Sequence, residues 1–111
     1  MTTLLEPYRV LDLTDDRGHL AGFILAMLGA DVVAVEPPGG SPVRALGPFG
    51  PDGESLTHAA YSRGKRSVTV DLDDPAGQEA FRALVAGADV LIESGAPGDL
   101  AARGWSWADL E

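Results

Sequence analysis

Apolar residues along the chain alternate between short continuous runs and stripes with helical spacing. Runs at 9–14, 32–35, 68–72 and 90–92 have the length of strands. The stripes cover 20–28 and 75–86, where apolar residues recur every three or four positions. Strands that alternate with helices in this way are typical of parallel sheets. The pattern therefore predicts an α/β fold with four parallel strands and helices on both faces of the sheet.

The stretch 29–40 predicts a helix end, a buried strand and then an abrupt loop. Gly29 can adopt the left-handed conformation that closes a helix, and the proline pair that begins at Pro37 stops the strand. Glu36 is therefore expected at the carboxyl end of a strand, where open α/β sheets bind their ligands. A similar phrase returns at 87–93, which predicts a second copy of the same helix-to-strand junction.

Acidic residues surround the first predicted loop. Asp12 lies in an otherwise apolar strand, and we expect it to bind nearby backbone or a cation rather than take part in chemistry, because an unpaired buried carboxylate is costly. Asp15 and Asp16 precede the first helix, where acids favour the free amides of a helix N-terminus. A nicotinamide dinucleotide site is not favoured, because Gly18 and Gly22 do not form the G-x-G-x-x-G spacing.

Two basic features are candidates for binding an anion. Arg44 is the only cation in the long glycine- and proline-rich loop 37–53, and the position of this loop after a strand favours a role in covering a ligand. Arg63, Lys65 and Arg66 fall on a predicted turn before the third strand. A phosphate or carboxylate partner explains both features, and so does ordinary solvated surface.

Capping residues predict where the other helices begin. Ser55 to Tyr61 is expected to form a short helix, and Asp74 followed by a proline marks the start of the helix over 75–86. Ser106 can cap a last helix. The small residues of 93–98 form a loop in which a ligand could approach backbone amides.

The composition restricts the classes of function. The chain has 111 residues, 45% of them hydrophobic, which is enough for one domain with a modest core. It has no cysteine and only two histidines far apart in sequence, so we expect no disulfide and no metal centre. The net charge of -9 argues against nucleic-acid binding, which needs a basic surface. Without a long apolar run or a signal-peptide layout, we expect a cytoplasmic protein with no membrane contact.

Several phrases of the sequence carry a resemblance to a known family. They are RVLDLT at 9–14, LGADVV at 28–33, VEPPGG at 35–40 with Arg44, GKRSVTVDL at 64–72, and ADVLIE at 88–93 with Pro97 and Gly98. In order and spacing they resemble the N-terminal segment of family III CoA-transferases, which include formyl-CoA and carnitine CoA-transferases and α-methylacyl-CoA racemase. The resemblance implies a Rossmann-like sheet over residues 1–111, incomplete because it is the N-terminal part of a larger domain.

The same resemblance implies transfer of CoA between an acyl-CoA and a carboxylic acid. It implies CoA as a substrate, no tightly bound cofactor, and a homodimer of interlocked full-length subunits. CoA would lie against the loops at the strand ends. The site residues that it implies are Arg17, Gly18, Pro37, Arg44, Val70, Asp73, Ser94, Gly95, Ala96 and Arg103.

The chain departs from the family pattern at these loops. Gly18-His19-Leu20 stands where the family commonly has Ala-Gly-Pro, and Ser62 stands where it has asparagine. Ser94-Gly95 replaces the Asn-Phe that usually follows the glutamate. Arg103 lies one residue after Ala102, which occupies the position of the expected arginine.

No catalytic residue is expected within the chain. The family's nucleophile is an aspartate that carries the acyl group as a mixed anhydride, and no aspartate here matches its motif. We therefore expect the chain to supply CoA-binding loops and to be inactive alone. The alternative is a degenerate, non-catalytic binding or assembly module that keeps the fold. The loop substitutions favour that alternative, whereas Arg44 and Lys65 favour CoA binding.

Overall fold

Four parallel strands in the order β3-β2-β1-β4 form the centre of the computed structural model, which describes residues 4–111. The strands are β1 (Arg9–Leu13), β2 (Asp31–Glu36), β3 (Lys65–Thr69) and β4 (Val90–Glu93). The helices are α1 (His19–Met27), α2 (Leu56–Tyr61), α3 (Pro75–Ala86), α4 (Asp99–Ala102) and α5 (Trp107–Leu110), with a 3-10 helix over Pro42–Ala45. The predicted α/β fold with four parallel strands is confirmed.

Helices pack on both faces of this sheet. On one face, Phe81 of α3 packs with Trp105 against β1 and β2, and the fully buried Leu11 belongs to this cluster. On the other face, Leu25 and Ala26 of α1 pack on a smaller buried cluster. Alternate residues of β1 and β2 supply the two clusters, because successive side chains of a strand point to opposite faces. The predicted coverage of both faces is therefore confirmed.

The order of the strands locates the point where a ligand crevice is expected. The chain runs from β1 outward to β2 and β3, and then crosses back so that β4 lies on the other side of β1. The loops after β1 and β4 therefore leave the sheet in opposite directions and open a crevice between them. Open α/β sheets bind ligands at this switch point, beyond the carboxyl ends of the strands.

The third strand begins three residues earlier than the sequence predicts. The apolar run 68–72 predicts the strand, but β3 covers Lys65–Thr69, with Lys65 opposite Val32 and Thr69 opposite Glu36. Lys65 and Arg66 are therefore in the strand, and only Arg63 lies in the predicted turn before it. Tertiary ion pairs explain the difference, because β1 and β2 provide carboxylates for Lys65 and Arg66.

The two glycine junctions are not copies of each other. Gly29 has φ of 102° and closes α1 in the left-handed region, as predicted. Gly87 has φ of -99° at the end of α3, so the predicted second helix-to-strand junction is present, from α3 to β4, with its glycine in a different conformation. Within residues 4–111, no helix combines the length and the apolar character that crossing a bilayer requires.

Helices α2, α3 and α5 begin at the predicted residues, but not every predicted capping side chain makes a capping hydrogen bond. Ser55 and Ser106 cap α2 and α5 through their hydroxyl groups. Asp74 is the N-cap residue of α3, although its side chain makes no capping hydrogen bond. The residue that caps α1 is Gly18, so the expectation that Asp15 and Asp16 cap this helix is wrong.

Candidate functional site

A cleft of about 300 Å³ lies at the carboxyl ends of the strands. The loops after all four strands line it. Six of the residues that the sequence predicts for CoA are among its walls, namely Pro37, Val70, Asp73, Ser94, Gly95 and Arg103. The other four predicted residues, Arg17, Gly18, Arg44 and Ala96, are not among the described residues that line the cleft. The fold therefore brings most of the predicted set together at one edge of the sheet.

The loops after β1 and β4 are joined across the cleft by Asp15 and Ser94. The Ser94 hydroxyl donates to Asp15 Oδ1 at 2.7 Å, and the Asp15 backbone N–H donates to Ser94 Oγ at 2.8 Å. Arg17 Nη2 lies 2.8 Å from Asp15 Oδ2. Hydrogen bonds from Arg17 hold the pKa of Asp15 well below its usual range, with a smaller contribution from Ser94. Arg17 therefore neutralises this loop from outside the cleft.

Gly18 has a packing role in the same loop. A Cβ atom at this position would lie 2.9 Å from Thr14 Cγ2 and 3.4 Å from Ser94 Cβ. The first distance is shorter than carbon atoms tolerate, so a larger residue would force the Thr14 side chain to move, whereas the distance to Ser94 is an ordinary contact. Gly18 thus makes room for Thr14 within the loop after β1.

Glu36, the last residue of β2, is almost completely buried. It accepts hydrogen bonds from Arg44 Nε at 2.7 Å and Arg44 Nη2 at 2.9 Å, and from the Ser67 hydroxyl at 2.8 Å. The Ser41 backbone N–H donates to its Oε1 at 3.2 Å. These contacts, with Arg44 first, lower the pKa of Glu36 to about 2. The carboxylate is therefore ionised and engaged by three parts of the chain.

Asp12 forms a buried ion pair with Lys65 beside the cleft. The Asp12 Oδ2 and Lys65 Nζ atoms are 2.7 Å apart, and both side chains are 1% exposed. Asp12 also accepts a hydrogen bond from the Thr14 backbone N–H at 2.9 Å. Both kinds of partner expected for Asp12, backbone and cation, are thus present.

His19 completes the coordination of the Lys65 ammonium group. Lys65 Nζ donates to the His19 carbonyl at 3.1 Å and lies 3.3 Å from His19 Nδ1. An ammonium group can only donate, so Nδ1 acts as the acceptor, which leaves the proton of a neutral ring on Nε2. That nitrogen lies 3.2 Å from the Ser62 hydroxyl. Burial, and then the positive charge of Lys65, lower the pKa of His19.

The hydrogen-bonded series of Ser62, His19, Lys65 and Asp12 does not have the geometry of a catalytic triad, in which a histidine acts as the base for a serine nucleophile. In a hydrolytic triad the histidine donates from Nδ1 to a carboxylate, which stabilises the imidazolium as it forms. Here a cation faces Nδ1, so protonation of His19 is opposed rather than assisted. The arrangement of Ser62, His19 and Lys65 connects α2, α1 and β3 and has no geometry for covalent catalysis.

The basic segment does not form a single anion site. Lys65 is buried on Asp12, and Arg66 Nη2 pairs with Asp31 Oδ2 at 2.7 Å. Arg63 lies over the Phe23 ring, 5.2 Å from its centroid. The three cations therefore have three different partners, and the hypothesis of one basic turn for a phosphate loses its geometric support.

The described lining of the cleft contains more carboxylates than cations. Its carboxylates are Asp12, Asp15, Glu36, Asp71 and Asp73, and its one lysine or arginine is Arg103. Arg103 Nη2 lies 3.0 Å from Asp73 Oδ1. Part of its charge is therefore already balanced within the chain.

Sequence reasoning missed the role of Gly22 and His19. A Cβ atom at position 22 would overlap with Asp12 Oδ2 and would lie 3.0 Å from Lys65 Nζ. Gly22 lets α1 approach the ion pair closely enough for the His19 carbonyl to reach Lys65. The available signal was a glycine in the middle of an otherwise apolar helix, which often marks close packing.

Comparison with known proteins agrees with the geometry. Residues 5–111 match the family model described as CoA-transferase family III. The chain is 43% identical over 107 residues to succinyl-CoA:(R)-benzylsuccinate CoA-transferase subunit BbsE of Thauera aromatica, covering 93% of the chain and 26% of that relative. It is 37% identical over 113 residues to formyl-CoA:oxalate CoA-transferase of Afipia carboxidovorans, covering 100% of the chain and 27% of that relative.

Solved structures show the same fold. The CAIB/BAIF family protein from Brucella suis superposes with a TM-score of 0.89 and 37% identity, covering 99% of the chain and 30% of that protein. The Rv3272 protein from Mycobacterium tuberculosis gives a TM-score of 0.84 and 38% identity, covering 98% of the chain and 30% of that protein. The chain thus spans about a quarter of the length of these curated relatives and 30% of these structures.

Proposed function

The chain belongs to CoA-transferase family III, and we propose that it supplies one wall of the CoA site in a whole protein that transfers CoA between an acyl-CoA and a carboxylic acid. CoA acts in this proposal as a substrate, with no tightly bound cofactor. The observation that carries the proposal is the cleft at the switch point of the sheet, where loops after all four strands converge. Six residues that the family resemblance implies for CoA line this cleft.

The charge of the cleft defines what this wall can contribute. CoA carries phosphate groups, and the carboxylates of the lining oppose their approach. Lys65, Arg17, Arg44 and Arg103 reduce this opposition because each pairs with one of these carboxylates, but the same pairing leaves the wall little positive charge to offer a phosphate. We therefore expect the chain alone to bind CoA weakly, with the remaining cations supplied by other parts of the whole protein.

The chemistry of transfer is assigned to residues outside this chain. In the proposed reaction a carboxylate attacks the thioester carbonyl, the C–S bond breaks, and CoA leaves as a thiolate, so that an anhydride forms on the attacking carboxylate. Asp12 is held by Lys65, and Asp15 is held by Arg17 and Ser94. Neither carboxylate is free to attack. We propose that the 111-residue chain alone does not transfer CoA.

The setting of the whole protein is also a proposal. Family membership supports a cytoplasmic homodimer that acts on an acyl-CoA and a carboxylic acid. We propose no nucleic-acid partner, in line with the net charge of -9, and no membrane partner. Sedimentation of the whole protein would test the dimer.

A second candidate is a non-catalytic assembly module. The specific observation that favours it is the hydrogen bond of Ser94 to Asp15, because this serine is a departure from the family pattern and its hydroxyl is already used within the chain. In that case the cleft would keep its shape without binding CoA.

A magnetic-resonance titration of the chain with CoA separates the two candidates. We expect weak binding, with amide shifts at Val70, Asp73, Ser94 and Gly95 and none on the surface of α3 away from the cleft. Adenosine and pantetheine added separately would show which part of CoA contacts which loop. A chain that shows no shifts at millimolar CoA would support the assembly module and overturn the CoA site.

A further inference from the structure

We propose that Glu36 and Arg44 are positioning residues that hold the loop after β2 as a wall of the cleft, and that Arg44 does not contact the ligand. This inference rests on the proposed function only for the identity of the ligand. The loop contributes Pro37, Pro38, Ser41 and Pro42 to the cleft lining. Glu36, immediately before the loop, is bonded both to the Ser41 amide and to the Arg44 side chain, eight residues further along the chain.

The contacts of Glu36 tie the loop at two points. The Ser41 backbone N–H, five residues after Glu36, donates to Oε1, and Arg44 donates to both carboxylate oxygens from the 3-10 helix. Ser67 of β3 donates to Oε2 and fixes the carboxylate on the sheet side. His58 Nε2 lies 3.7 Å from Oε1, on α2. The carboxylate is therefore held by the sheet while it holds the loop.

The sequence of the loop fits this arrangement. Gly39 and Gly40 have φ of 88° and 92°, a region that other residues rarely adopt. A Cβ atom on Gly40 would lie 2.8 Å from Arg44 Cδ, so the glycine also makes room for the arginine side chain. Val43, beside Arg44, is 1% exposed and anchors the 3-10 helix. The chain thus turns sharply and places the arginine where it reaches Glu36.

Arg44 turns one edge of its guanidinium to Glu36 and lies outside the described lining of the cleft. Its Nε and Nη2 atoms both bond to Glu36, in the bidentate geometry that gives arginine–carboxylate pairs their strength. Its side chain is 47% exposed but does not belong to the described lining of the cleft. Turning the Nε–Nη2 edge toward a phosphate in the cleft would break this pair and leave the buried Glu36 carboxylate without its arginine.

The test uses the chain with Glu36→Gln, Arg44→Met, Arg44→Lys and the double variant Glu36→Gln/Arg44→Met. Arg66→Met is a matched control, because Arg66 makes a similar two-bond pair with Asp31 at the opposite end of β2. Amide shifts and ¹⁵N relaxation of Gly39, Gly40 and Ser41 are measured without ligand. The affinities for CoA and for 3′-dephospho-CoA follow from shift titrations. Unchanged shifts in α3 establish that each variant is folded.

We expect Glu36→Gln and Arg44→Met to increase the mobility of the loop and to weaken both ligands by about tenfold, the order of a lost charged hydrogen-bonded pair. The double variant should be no weaker than either single variant, because both remove the same pair. Arg44→Lys should lie between Arg44→Met and the unmodified chain, since a lysine keeps the charge but cannot form the bidentate pair. Arg66→Met should leave the loop and both affinities unchanged.

Two results would overturn the inference. One is a loop whose shifts and relaxation do not change in Glu36→Gln. The other is an Arg44→Met variant that loses CoA much more than 3′-dephospho-CoA while Arg44→Lys keeps both, which would make Arg44 a phosphate ligand. If the unmodified chain binds neither ligand, the proposed function fails, and the measurement without ligand still decides whether Glu36 and Arg44 position the loop.

Discussion

The two faces of the sheet are stabilised by different kinds of contact. Under α3, the rings of Phe81 and Trp105 meet edge to face with centroids 4.7 Å apart, and the buried residues of this cluster are all apolar. Under α1, the buried apolar cluster consists only of Val10, Ala30 and Val32. The Asp12–Lys65 pair and His19 lie on this same face, together with Glu36.

The two kinds of contact have different effects: one mainly stabilises the fold, and the other fixes the positions of individual side chains. Apolar burial has no direction, so the α3 face can stabilise the sheet without fixing the position of any single atom. Hydrogen-bonded charges have strict distances and leave costly unpaired groups when they move. Asp12, His19 and Glu36 all line the cleft. The face with directional contacts therefore fixes polar groups of the candidate site, whereas Leu13, Val35, Val70 and Leu72 of the α3 face supply apolar parts of its lining.

The largest expected effect comes from the apolar face. Phe81→Ala removes a fully buried ring and its contact with Trp105, which should lower the free energy of unfolding by about 4 kcal/mol. Urea unfolding followed by circular dichroism measures this decrease. We expect it to be the same at low and high salt, because the packing around the Phe81 ring is apolar and not electrostatic. A decrease below about 1 kcal/mol would show that the α3 face is not the main source of stability.

The elements of this face were predictable because their signals are local. The predicted helix 75–86 agrees with the structure at both ends, since a proline begins it, an apolar stripe fills it and Gly87 follows it. β1, β2 and β4 also lie where short apolar runs predict them. Each of these signals is contained in about a dozen consecutive residues.

The polar face was less predictable because its partners are far apart in sequence. Lys65 is 53 residues from Asp12 and 46 residues from His19, so no local pattern joins them. Because of these pairs, β3 begins at Lys65, three residues before the start that the apolar run predicts. The position of the cleft followed from the strand order, but the acidic lining and the engagement of Arg44 required the folded structure.

The second prediction breaks the polar face directly. Lys65→Met leaves the buried Asp12 carboxylate without its cation and should cost about 3 kcal/mol of unfolding free energy. The double variant Asp12→Asn/Lys65→Met should recover at least half of this loss, because no buried charge then remains. The double variant is compared with the single one by urea unfolding at neutral pH. Equal losses in the two variants would mean that packing of the lysine stem, and not its charge, stabilises this face.

The third prediction concerns the pH dependence of the unfolding free energy, which should come from the polar face and not from the apolar one. The pKa of Glu36 falls from 4.5 to about 2 on folding, so the unfolded chain binds a proton at higher pH than the folded chain does. The stabilisation is therefore complete above about pH 4.5 and disappears as the pH falls toward 2. We expect about 2 kcal/mol of the acid-induced loss to be absent in Glu36→Gln.

The two histidines also make the unfolding free energy fall as the pH decreases, but in a higher pH range. Burial lowers the pKa values of His19 and His58, so the unfolded chain takes up their protons first as the pH falls below 6.5. Unfolding free energies measured between pH 7 and 3 should thus fall in two ranges. Glu36→Gln should reduce the lower fall and should enlarge the upper one, because loss of the Glu36 charge lowers the pKa of His58 further. In Phe81→Ala the whole profile should shift down without a change of shape. A flattened profile in Phe81→Ala would contradict the separation of the two faces.

The smallest expected effect is that of Gly22→Ala, in which two opposing terms nearly cancel. Alanine in the middle of a helix is favoured over glycine by about 1 kcal/mol. The added Cβ would overlap with Asp12 Oδ2, and forcing a methyl group into a packed site costs about 1 to 3 kcal/mol. Because the His19 carbonyl holds α1 against the ion pair, the helix cannot move away without losing this hydrogen bond, and we expect a net destabilisation of about 1 kcal/mol.

In an Asp12→Ala/Lys65→Met background the obstacle is gone, so the same substitution should stabilise the chain by about 1 kcal/mol. The change of sign between the two backgrounds, measured by urea unfolding, identifies the ion pair as the group that requires a glycine here; the same sign in both would place the obstacle elsewhere.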